Sequence, residues 1–170
     1  MDSVEDLLRR LEQLNDIGVS LSRERDITRL LETILLAAKQ ITHADGGTLY
    51  RLNDEGTALR FEILRTDSLR IAMGGTSGNP IGFPDLPLRD EQGRPNDSLV
   101  AAYAAIHHET VNIRDAYTEA NFDFSGTRRF DERTGYRSQS FLAVPLKNHE
   151  GDVIGVLQLL RPLLNVAGRW

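Results

Sequence analysis

The stretch Phe130-Asp131-Glu132-Arg133-Thr134-Gly135-Tyr136-Arg137-Ser138-Gln139-Ser140-Phe141-Leu142-Ala143-Val144-Pro145-Leu146 decides how this chain reads. Its first half is polar and turn-rich; from Ser138 it turns apolar within a few residues. Phe141, Ala143 and Pro145 fall on one parity, and Leu142, Val144 and Leu146 on the other. Apolar residues on both parities predict a strand covered on both faces. Asn148-His149-Glu150-Gly151-Asp152 supplies turn chemistry, and Val153-Ile154-Gly155-Val156-Leu157-Gln158-Leu159-Leu160 supplies the return strand. A buried hairpin entered from a dense polar segment makes a rigid wall with a ligand-facing rim.

Upstream of this hairpin, residues 109–113 read as a short strand. Before it a helix runs from a cap at Asn96 or Asp97 to about His107, with Leu99, Val100, Tyr103 and Ile106 as its expected buried set. Periodicity fades over residues 66–96. Gly74-Gly75-Thr76-Ser77-Gly78-Asn79-Pro80 is glycine-rich, but it lacks the lysine and the strand-to-helix setting of a phosphate loop, and it reads as a connection. Ile81-Gly82-Phe83 and Leu86-Pro87-Leu88 bracket short extended pieces. Residues 48–52 and 58–65 form a hairpin about the turn Asn53-Asp54-Glu55-Gly56, with Leu59, Phe61 and Ile63 on one face. A helix capped by Asp26 runs to about Thr42 and carries the stripe Ile27, Leu30, Leu31, Ile34, Leu35, Ala38 and Ile41.

At the N-terminus Ser3 caps a further helix, with Glu5 and Asp6 in the first turn, where the helix dipole favours anions. Val4, Leu7, Leu11, Leu14, Gly18 and Leu21 recur at alternating spacings of three and four, a heptad seam widened by Leu8 and Ile17. Such a seam packs either on its own domain or on a second copy. The narrow stripe, flanked by Glu5, Arg9, Arg10, Glu12 and Asp16, favours the second copy. The expected organisation is thus a dimerisation and signalling helix over 1–24, a sensor domain over 25–161, and a tail or linker over 162–170 that leads towards an output domain.

Composition narrows the function. The 170 residues suit one domain that buries about 70% of its unfolded surface. The net charge is -5 and no basic cluster stands out, which argues against nucleic acid as a partner. The chain has no cysteine, so disulfides, thiolate metal sites and cysteine nucleophiles are excluded, in keeping with a cytoplasmic location. No apolar run approaches the ~20 residues of a membrane span, and the acidic start lacks a signal-peptide core. His107 and His108 are adjacent and cannot share a metal from one helix face. His43 and His149 fall in turns. No metal, no cofactor and no catalytic residue are expected, because no paired acid and base or nucleophile constellation is present.

The pattern D-x-x-T-G-Y-R-S at residues 131–138, the apolar strand after it, and the return V-I-G-V-L-Q at 153–158 resemble the second half of a GAF domain. The type is that of cyclic-nucleotide phosphodiesterases, cyanobacterial-type adenylate cyclases and bacterial HD-GYP sensors. Ala44-Asp45-Gly46-Gly47-Thr48-Leu49-Tyr50 and Val111-Asn112-Ile113-Arg114-Asp115-Ala116-Tyr117 resemble upstream segments of the same family. The resemblance spans roughly residues 25–161. It implies an α/β (α+β) fold with a central antiparallel sheet, helices packed against it and a pocket under the connections 66–138. It also implies a regulatory role in which a cyclic nucleotide or similar ligand acts through a helical homodimer on an output enzyme domain. Family enzymes that reduce free methionine sulfoxide, and those that attach a bilin within the domain, work through cysteines, so this chain is neither.

The segment 112–138 concentrates aromatic and hydrogen-bonding groups, and such loops on rigid scaffolds carry sites as well as structural crossovers. The candidate ligand-binding residues are Phe83, Asn112, Asp115, Phe122, Asp131, Thr134, Tyr136, Arg137 and Ser138. Arg137 would pair with a phosphate, Thr134 and Asp131 would order a polar edge, and Phe83 or Phe122 would cover a ring. The structural alternatives are that Arg137 pairs with Asp115 or Asp131, that Asp131 caps the amides of Arg133 or Thr134, and that Gly135 supplies a positive-φ turn. Cyclic-nucleotide-binding relatives carry an Asn-Lys pair just after the return strand, then a Phe and an Asp-Glu pair. Here Arg161 and Pro162 occupy the first positions and the later ones are absent, which favours the other possibility, a ligand-free dimerisation module.

Overall fold

The computed structural model describes residues 3–23 and 26–163. Most of the expected tail therefore lies outside the described residues. The elements follow in the order α1 (Val4–Arg23), α2 (Ile27–Thr42), β1 (Gly46–Leu52), β2 (Ala58–Thr66), β3 (Ile71–Gly74), β4 (Leu86–Pro87), α3 (Val100–His107), β5 (Val111–Ile113), α4 (Ser125–Thr134), β6 (Ser138–Lys147) and β7 (Val153–Pro162). The strands make one antiparallel sheet in the order β3-β2-β1-β7-β6-β5, with β4 beside β2. The N- and C-terminal hairpins meet at the β1–β7 seam in the centre.

Each face of this sheet has its own core. On one face α2 lays Leu35 over Leu49, Ile63, Leu157 and Leu159, with Leu31, Ile34 and Ala38 at the margin. Asp26 caps α2 by accepting from the amides of Thr28 and Arg29, as its sequence predicts. The predicted stripe is too wide, however: Ile27 and Ile41 are exposed, because the helix touches the sheet only along its middle. On the other face α3 packs on Tyr50, Phe141, Ala143 and Val156. Here the expected buried set needs correction. Of Leu99, Val100, Tyr103 and Ile106 only Val100 is buried, and Ala101, Ala104 and Ala105 pack against this face with it. Small side chains let the helix backbone approach the sheet closely. The expected cap at Asn96 or Asp97 is also displaced, since α3 starts after Leu99 with no side-chain cap.

Three further differences have local causes. Strand β6 is fully covered only on the α3 side: Phe141 and Ala143 are buried, while Leu142, Val144 and Leu146 are half-buried. Helix α2 covers β1, β2 and β7 but stops short of β6, which leaves this parity at the margin. Pro145 is accommodated because β5 pairs only as far as Ala143, so β6 is an edge beyond it. The polar stretch before β6, read as turn-rich crossover, contains the ten-residue helix α4. Gly135 ends it in the left-handed region at φ 72° and donates its amide to the Asp131 carbonyl.

Candidate functional site

The register of the sheet explains where a cavity forms. Gln158 on β7 sits opposite Thr48 on β1, Thr48 opposite Leu64 on β2, and Leu64 opposite Met73 on β3. The next row runs Phe141, Leu160, Gly46, Thr66 and Ile71. Directly paired residues share a face, and all of these except Gly46 line one cavity of about 470 Å³ on the α3 side of the sheet. A bulge opposite the Leu49–Tyr50 step inserts Glu62 into β2. Tyr50 and Phe61 thereby join the same face, their ring centroids 4.7 Å apart, and Phe83 stacks beyond Phe61 at 5.4 Å. The roof is the start of α3 (Leu99, Val100, Ala101), residues 83–86, and one side of α4 with Phe124, Gly126, Thr127, Arg129, Phe130 and Arg133.

Walls of this kind are mainly apolar with a few polar groups, the usual make-up of a small-molecule site. Among the described residues the Gln158 carboxamide has no hydrogen-bond partner, and it stands at the middle of the floor. Deeper, Ser138 is fully buried and donates its hydroxyl to Asp131. Tyr50 is buried in the wall, and burial pushes its phenol far above the usual range, so it stays protonated.

Of the nine residues proposed from sequence, Phe83 and Ser138 reach the cavity wall. The others are placed in the structure behind it. Asp131 is buried and accepts from the Ser138 amide (2.8 Å), the Ser138 hydroxyl (2.8 Å) and the Tyr117 hydroxyl (2.7 Å). It does not cap Arg133 or Thr134. Arg137 donates to both oxygens of Asp115 (3.3 and 3.4 Å) and to the Ser138 carbonyl, and its guanidinium lies 3.6 Å from the centroid of the Tyr117 ring. Asp115 also holds the Tyr117 amide. Tyr136 donates to Asp45 at 2.6 Å, and the same carboxylate accepts from the Ser68 amide and hydroxyl. Burial, reinforced by the Asp45 bond, raises the Tyr136 phenol far above its ordinary value. Thr134 bonds the Phe130 carbonyl within α4. Phe122 meets Tyr103 edge-on at 5.3 Å. Asn112 lines a separate small recess of about 180 Å³ beside Ser140 and Arg161.

Residues not among the nine also line the wall, including Thr48, Phe61, Thr66, Gln158 and the α4 pair Arg129 and Arg133. A signal existed for three of them. Gln158 is the one polar residue between Val153 and Leu160, and Arg129 and Arg133 stand four apart, so a helix there would place them on one side. Among the described residues no group of three or more His, Asp or Glu side chains forms a metal site.

Comparison with known proteins adds three findings. A family model described as GAF domain matches residues 26–169. The cGMP-specific 3',5'-cyclic phosphodiesterase of Drosophila sechellia is 28% identical over 155 residues, covering 88% of this chain but 11% of that protein; the chain thus spans about a tenth of the curated relatives it matches. Among solved structures, the GAF domain of an Acinetobacter phosphoenolpyruvate-protein phosphotransferase superposes with a TM-score of 0.61 at 18% identity, over 94% of this chain and 83% of that one. The free methionine-R-sulfoxide reductase of Neisseria meningitidis superposes with the same score and identity, over 95% and 77%. At this identity the superpositions speak for the fold alone.

Proposed function

The chain belongs to the GAF domain family, and from that premise we propose that it is a regulatory small-molecule sensor. A nucleotide-sized ligand binds in the cavity. Helix α1 pairs with its copy in a homodimer, and the bound state passes through that dimer to an output enzyme domain in a longer, cytoplasmic parent protein. The observation that carries this reading is the cavity itself. Its volume of about 470 Å³ falls within the range of small-molecule sites, ~300–1,000 Å³. A ligand-free dimerisation module would fill that space with its own side chains. The name of the phosphodiesterase relatives puts cyclic nucleotides among the ligands to test, although Arg161 and Pro162 depart from the residues that cyclic-nucleotide binders carry at these positions. The domain catalyses nothing by itself.

A route from cavity to helices supports the signalling half. Strand β3 lines the cavity through Ile71 and Met73, and the loop after it is held to α2. Glu32 of α2 accepts from the Arg65 guanidinium and from the Thr76 hydroxyl (2.5 Å) and amide (3.3 Å). Lys39, also on α2 and buried, pairs with Asp67 at 2.5 Å. A ligand that orders β3 and its loop therefore biases α2, and through it α1, by population shift.

The test is mass spectrometry of small molecules released on denaturing the purified domain. One small molecule per chain is expected. If none is released, and no nucleotide or small organic acid raises the melting temperature, the ligand-free module is the better reading.

A further inference from the structure

We infer that the ligand is an organic anion with a flat, largely apolar body, and that Arg129 and Arg133 of α4 hold its carboxylate or phosphate at the rim of the cavity. This assignment rests on the sensor reading above and names the chemistry of that same site. The two arginines lie one helical turn apart and both line the cavity. Among the described residues neither has a hydrogen bond or ion pair. Their neighbours differ: Arg128, next to Arg129 in sequence, is engaged by the Tyr117 carbonyl (3.2 Å) and ring. Arg137, at the start of β6, is engaged by Asp115.

Among the described residues, the one carboxylate on the cavity wall is Asp123. It accepts the Ser125 amide at 2.9 Å. The Ser125 bonds, with a contribution from Arg129, hold its pKa below the ordinary value. Asp123 thus offsets at most one of the two cations. In a protein of net charge -5, two like charges at i and i+4 repel each other, and one anion shared between their forks relieves that repulsion and adds charge-assisted hydrogen bonds. The rest of the wall sets the body of the ligand. Tyr50, Phe61, Phe83 and Phe130 place aromatic rings in the wall, and the Gln158 carboxamide offers N–H donors and a carbonyl acceptor to a polar edge.

Three naphthalene probes of similar size separate the possibilities: 1-naphthoate, 1-naphthyl phosphate and the neutral 1-naphthylmethanol, each titrated by its own fluorescence. The two anions should bind at least roughly tenfold more tightly than the alcohol, the scale of one charge-assisted hydrogen bond. Arg129→Gln with Arg133→Gln should erase that preference and leave the affinity for the alcohol unchanged. Both side chains are exposed, so the variant should fold, which an unchanged circular dichroism spectrum and melting temperature would verify. The anion that gains more identifies the group as carboxylate or phosphate. If the alcohol binds as tightly as the anions, or the double variant keeps the preference, the arginine assignment is wrong and the sensor reading stands. If none of the three binds, the assignment of a flat anionic ligand is wrong, and the sensor reading is decided by the released small molecules.

Discussion

At the scale of single residues, Asp131 is the hub of the crossover. Replacing it by Ala strands the buried Ser138 amide and hydroxyl as well as the Tyr117 hydroxyl. The expected loss is roughly 1–3 kcal/mol for each buried donor left unpaired, read as a lower urea midpoint with an unchanged slope. Arg137→Ala breaks the Asp115 pair and the stacking on Tyr117. It should cost ~1–3 kcal/mol, while naphthoate binding stays as in the parent. A stable variant that no longer binds would instead make Arg137 a ligand contact. Tyr50 and Tyr136 give the domain a pH dependence. Their folded pKa values are raised, so their stabilising effect is complete below the unfolded phenol value of ~10. Above it the unfolded chain releases these protons first, and stability falls as pH rises towards the folded values. Denaturation midpoints that hold from pH 7 to 9 and drop beyond pH ~10 are the expected record. A midpoint flat to pH ~11.5 would contradict it.

At the scale of elements, α1 and α2 carry the consequences. Helix α1 buries none of its residues: Leu7, Leu11 and Leu14 are each more than half exposed. An amphipathic helix gains most of its stability from packing, and among the described residues the N-terminal half of this seam is left exposed. On the proposed homodimer, the full domain should sediment as a dimer, and a truncation that begins at Arg23 should be monomeric or associate more weakly. An unchanged dimer would move the interface elsewhere. Helix α2 holds the loop after β3 through Glu32, and removing one partner of a largely buried ion pair leaves the other uncompensated. Glu32→Ala should destabilise the domain by about 3 kcal/mol and raise hydrogen exchange over residues 74–80 ahead of the sheet. Helix α3 meets the sheet through alanines, so Ala104→Leu should overpack that face, at a cost of ~1–3 kcal/mol.

At the scale of the whole molecule, the cavity exists because two hairpins distant in sequence share a seam. Gly155 shows how tightly they meet: a Cβ there would run into the Tyr50 carbonyl of β1, and Gly155 pairs with Arg51 and Leu146 on its two sides. Gly155→Ala must therefore push the hairpins apart along the β1–β7 seam. Since Thr48 and Gln158 face each other across that seam, the cavity floor should deform with it. Such a variant should lose probe affinity and stability together, unlike the arginine pair, which should lose only the preference for anions.

The sequence by itself determined the family and most of the elements. The alternation after Ser138, the turn at 148–152, the Asp26 cap and the heptad spacing each depend on neighbours within a few residues, and those local rules act before any long-range contact. Several of the family's motif residues are legible for the same reason, but their tasks were not. Asp45 bonds Tyr136 across 91 residues and Arg65 bonds Glu32 across 33; no local pattern shows which carboxylate meets which donor. Only the tertiary structure decided that Arg137 and Asp131 brace the crossover, that alanines rather than large side chains carry α3, and that α4 forms at all in so polar a stretch. Its fixed face comes from Phe124, which packs on Phe141 with ring centroids 5.1 Å apart, and from Asp131, which is tied to β6. The cavity wall, finally, is a product of register. A pairing shifted by one residue would turn Thr48 and Gln158 to the α2 side, because side chains alternate along a strand.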